Sequence, residues 1–67
     1  MFRVKIYAIP DVQLPDFELL ASAIDSAKLE LETRAYPAHA KITDLQSGET
    51  IVRLYLNNDG SIDDTTH

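Results

Sequence analysis

The chain has 67 residues, a formal net charge of −5, 45% hydrophobic and 25% charged residues, and no cysteine. That length fits one small domain and excludes two; it hides only about 60% of the surface an unfolded chain exposes, and without thiols there are no disulfide staples and no thiolate metal centre, which leaves self-association as an outside source of stability. No apolar run reaches the roughly 18 residues of a membrane span, and the opening MFRVKIYAIP lacks the apolar core of a secretory signal, so a cytoplasmic protein with no membrane partner is expected.

In chain order, Phe2, Val4, Ile6 and Ala8 alternate with Arg3, Lys5, Tyr7 and Ile9, the period-two signature of a strand with one buried face. Pro10-Asp11 ends it, and the stretch to Leu14 has no periodicity and reads as a connecting loop. Pro15 suits the first turn of a helix, with Asp16 and Glu18 near the positive end of its dipole. Phe17, Leu20, Ile24, Ala27 and Leu31 then recur at helical spacing, with Ala21 at the edge of the stripe, which predicts a helix to about residue 32 whose apolar side faces a sheet.

Beyond Pro37, Ala38, Ala40 and Ile42 alternate with His39, Lys41 and Thr43 as a second strand, and Thr50–Leu56 forms a third. Gly48, in the loop between them, marks a hairpin. Residues 58–67 are polar and acidic with a single Ile62 and are expected to fray, leaving 1–57 as the domain. The order strand, helix, strand, strand predicts an α+β fold: a two-layer β-α-β-β sandwich with a three-stranded, mainly antiparallel sheet in the order 1-3-2 and one helix on one face.

Parity assigns Phe2, Val4, Ile6, Ala40, Ile42, Val52, Leu54 and Leu56 to the core. The other parity puts Arg3, Lys5, Tyr7, His39, Lys41, Thr43, Ile51, Arg53 and Tyr55 on the open face, including four of the six Lys and Arg residues. The carboxylates lie on the helix, in the turns and in the tail, so the molecule is bipolar although acidic overall. Arg3, Lys5, Tyr7, His39, Lys41, Arg53 and Tyr55 form the candidate partner-binding face. The plainer account of the same residues is a solvated sheet surface with strand-forming side chains. Glu18, Asp25 and Glu32 recur every seven residues and form a candidate acidic patch, with Lys28 within reach of Asp25 and Glu32; an ordinary solvated helix face accounts for them equally.

No catalytic, cofactor or metal motif is present. Asn57–Asp63 matches the middle of a calcium loop, but Tyr55 and Thr66 stand where its first and closing ligands belong. His39 and His67 have no partner at metal-ligand spacing, and no serine sits in a nucleophile elbow. The sequence therefore predicts a non-enzymatic protein-protein interaction module, a homodimeric regulator or an inhibitor of a larger complex, that pairs through exposed strand edges or anchors on outward Tyr and Arg. The alternative is a single-stranded nucleic-acid binder, since bases stack on aromatic rings while Lys and Arg follow phosphates.

Overall fold

A computed structural model describes residues 1–66. The strands are β1 (Phe2–Tyr7), β2 (Val12–Gln13), β3 (Ala38–Asp44), β4 (Glu49–Leu56) and β5 (Ile62–Thr66), with one helix, α1 (Leu20–Glu32), between β2 and β3. All neighbours are antiparallel in one sheet ordered β2-β1-β3-β4-β5, and α1 covers one face by packing on β1, β3 and β4. The α+β class and the single helical layer agree with expectation; the strand number and order do not.

The order differs because β1 does not lead straight into the helix. The chain turns at Ile9-Pro10, a cis peptide, where the Asp11 carboxylate accepts the Ala8 N–H at 2.9 Å. It then runs back along β1: the Leu14 N–H donates to the Val4 carbonyl at 3.0 Å, and Phe17 exchanges both backbone bonds with Phe2, at 2.7 and 2.8 Å. The helix therefore starts beside the beginning of β1 and delivers the chain to its far end. From there β3 can only run antiparallel to β1, and the right-handed rule for parallel crossovers, which favoured 1-3-2, has no parallel pair to act on.

The same bonds explain the late helix start. Residues 15–19 are not helical, because Phe17 spends its backbone groups on β1, so Asp16 and Glu18 precede the helix and its first turn carries no acidic residue. The buried helix positions are Ala23, Ala27 and Leu31, with Leu20 and Ile24 at the margin. Ala23 is not among the stripe positions that the spacing marked, yet it is fully buried, and two alanines on this face let the helix lie close to the sheet. Leu19, just before the helix, and Leu29 face outward at 66% and 64% exposure.

From the sheet, Val4, Ile6, Ala38, Ala40, Ile42, Val52, Leu54 and Leu56 complete the core, while Phe2 is half-buried against it. A register shift between Ile42 and Thr43 places one extra residue in β4, and Ile51, expected on the open face, is half-buried and packs against the core. The bulge lies beyond His39 and Lys41, so their orientation is unaffected.

Residues 62–66, expected in a fraying tail, form β5 and pair with β4 from Val52↔Thr66 to Leu56↔Ile62. The turn between β4 and β5 has Gly60 at φ +89°, a conformation that L residues avoid, and the Asn57 N–H donates to the Ser61 carbonyl at 2.8 Å. Asp59 Oδ1 accepts the Ser61 hydroxyl at 2.6 Å and its N–H at 2.9 Å. Those bonds, the side-chain one foremost, hold the Asp59 carboxyl below the ordinary aspartate range. The calcium-like segment is thus a hairpin turn. Among the described residues no helix is long and apolar enough to cross a membrane.

Candidate functional site

Pairing turns the outward residues into two rows that cross the sheet at right angles to the strands. Gln13, Lys5, Lys41, Arg53 and Thr65 are successive partners from β2 to β5 and make the first. Tyr7, His39, Tyr55 and Asp63 make the second, one side-chain repeat along the strands.

In the second row Tyr7 and His39 stack with ring centroids 4.7 Å apart and planes 7° from parallel. His39 and Tyr55 follow at 5.9 Å and 24°. The rings form a cross-strand column, a packing that stabilises antiparallel pairs. Lys5 Nζ and Lys41 Nζ lie 5.0 and 5.3 Å from the Tyr7 centroid, within cation–π range. Tyr7 is therefore enclosed by His39 and two ammonium groups, whereas Tyr55 keeps 41% of its surface exposed.

The first row is electrostatically costly. Lys5 faces Lys41, and Lys41 faces Arg53 on its other side. Like charges directly opposite destabilise a sheet, by a fraction of a kcal/mol up to about 1 kcal/mol per pair. Neither lysine forms an ion pair with a described carboxylate.

Arg3 behaves differently from the other open-face cations. Its Nε lies 3.2 Å and its Nη2 3.4 Å from the two carboxylate oxygens of Asp16, so its charge is largely spent within the molecule. Lys5, Tyr7, His39, Lys41, Arg53 and Tyr55 are the candidate residues that the two rows bring together. Gln13, Asp63 and Thr65 border these, and the sequence reading missed them because β2 and β5 were read as loop and tail. The Asn57-Asn58-Asp59-Gly60 turn was the available signal for β5, since such a turn after a strong strand commonly starts its partner.

The acidic helix patch is looser than the heptad spacing implied. Glu18, Asp25 and Glu32 are all exposed, but Glu18 lies outside the helix. Lys28 reaches neither Asp25 nor Glu32; its Nζ lies 3.7 Å from Asp64 on β5 and ties the helix to the edge strand. Glu30 pairs with Arg34 at 3.1 Å. Among the described residues no group of three or more His, Asp or Glu could hold a metal ion; His67 lies outside them. No protein-family model, no curated protein and no solved structure matches the chain.

Proposed function

We propose that this chain is a non-enzymatic interaction module whose working surface is the open sheet face and whose partner is a protein presenting an acidic segment. The observation that carries the reading is the direct pairing of Lys5 with Lys41, two like charges opposite one another with Arg53 next in the same row, in a protein of net charge −5. An anionic partner offsets that repulsion when it binds. The neighbouring column offers ring edges and tyrosine hydroxyls, the contacts that anchor many protein interfaces. Two copies pairing through this face would oppose cation to cation, so the partner is a different chain, one that the module regulates or inhibits.

The exposed ring of Tyr55 beside the cations favours a second reading, single-stranded nucleic acid. Against it, the Tyr7 ring is already enclosed by His39 and two ammonium groups, which leaves one exposed ring for a base to stack on.

One titration separates the two. Backbone amide NMR spectra of the labelled chain are followed at low salt against oligoglutamate and against a mixed-sequence single-stranded oligonucleotide of equal charge. Saturable shifts at Lys5–Tyr7, His39–Lys41 and Arg53–Tyr55, larger with oligoglutamate and abolished by Lys41→Glu, are expected. A tighter oligonucleotide complex, weakened by Tyr55→Ala by about 1–3 kcal/mol, would reverse the ranking. Shifts with neither ligand would remove the open face as a working surface.

A further inference from the structure

Just beyond the end of β1 and just before the start of β3, Ala8, Ile9, Arg34, Ala35, Tyr36 and Pro37 line a shallow groove of about 120 Å³. Ile9 stands two residues beyond Tyr7 and is 100% exposed; Tyr36 stands three residues before His39 and is 60% exposed. A lone exposed apolar residue is ordinary, but here two large ones flank a concavity. Within that lining Arg34 holds Glu30 through Nη2 at 3.1 Å while its Nε is buried with no acceptor.

We infer that the groove takes one apolar side chain of the same partner segment whose acidic residues lie on the Lys5–Lys41–Arg53 row. This rests on the open-face reading above and adds the recognition element which charge alone does not supply. The groove adjoins the aromatic column along the chain, Ile9 standing two residues beyond Tyr7 and Tyr36 three residues before His39. Its separation from the cation row, on the order of 10–15 Å, corresponds to about four residues of extended chain. The ligand is therefore an extended segment with an apolar anchor followed, or preceded, about four residues away by acidic residues. The anchor side chain lies between Ile9 and Tyr36. A second copy of this chain is a poorer occupant, because its own cation row would face this one.

The test uses the full chain, isotopically labelled, and two capped synthetic peptides: leucine, a spacer of three glycine or serine residues and three glutamates, and the same peptide with serine for leucine. A reversed-order pair covers the opposite chain direction. The leucine peptide is expected to shift the amides of Ile9 and Arg34–Tyr36 together with the open face, and to bind about tenfold more tightly than the serine peptide. Ile9→Ser, at a fully exposed position where folding is not at stake, abolishes that preference. Equal binding of leucine and serine peptides, with shifts on the open face alone, overturns the groove and leaves the open-face reading standing. Groove shifts without open-face shifts, or no shifts at all, overturn both.

Discussion

Lys5 and Lys41 are direct partners across β1 and β3, and their ammonium groups converge on one ring, Tyr7, at 5.0 and 5.3 Å from its centroid. The ring's negative face partly offsets a repulsion that the sheet would otherwise bear in full.

Lys41→Glu converts the repulsive Lys5–Lys41 pair into an attractive one and gives up one of the two cation–π contacts on Tyr7. A net gain below about 1 kcal/mol is expected in urea unfolding at low salt, shrinking as salt screens the surface. The same variant loses the response to oligoglutamate. A destabilised Lys41→Glu protein would show that the row is not held against its own repulsion.

Close approach of the helix to the sheet depends on small side chains. Ala23→Leu forces three further carbons into a fully buried position and is expected to cost about 1–3 kcal/mol. Leu29→Ala, on the outer side of the same helix, should stay within about 0.5 kcal/mol of the parent. Urea midpoints of the two variants check the contrast, and equal losses would contradict the assigned helix face.

The β4–β5 turn carries a pH dependence of definite sign. Because hydrogen bonds from Ser61 lower the Asp59 carboxyl in the folded state, its contribution is present above the ordinary aspartate value and lost as the pH falls through the lowered one. The Ser61 amide resonance should titrate with a midpoint below that of an unstructured aspartate peptide. Asp59→Ala removes the titration, and an ordinary midpoint would show that the bonds do not form in solution.

Gly60→Ala tests the same turn through its backbone. No atom crowds the site, but φ is +89°, so the loss arises from conformation rather than contact. About 1 kcal/mol is expected, with early amide exchange in β5.

Deleting residues 61–67 should do more than trim a tail. It strips β4 of one of its two partners and makes it an edge strand bearing Ile51, Val52, Leu54 and Leu56. Lower thermal stability and increased light scattering are expected. A truncated chain as stable and monodisperse as the parent would return this segment to the status of a loose appendage.

Periodicity made much of the fold legible. Alternation in 2–7, 38–43 and 50–56 identified three strands and their inward faces, and with them the residues of the cation row and aromatic column. The rest depended on pairing at a distance. Pro15-Asp16 reads locally as a helix start, yet Phe17 bonds to Phe2 and stays extended. Val12–Gln13 is too short to show a period, and Asp63-Asp64-Thr65 looks like solvent-exposed chain until β4 supplies its hydrogen bonds. The spent charge of Arg3 and the attachment of Lys28 to Asp64 follow from those unseen contacts. Strand order was lost for the same reason, since the returning segment reversed the direction from which the helix departs.

The two sides of the sheet are finished differently. On one, β2 is two residues long and the chain from Leu14 to Phe17 ties back onto β1; on the other, β5 offers five residues of strand with no described neighbour beyond it. Growth of the sheet by an added strand is consequently one-directional. It would proceed past Asp63, whose charge repels an identical edge and opposes edge-to-edge stacking of copies.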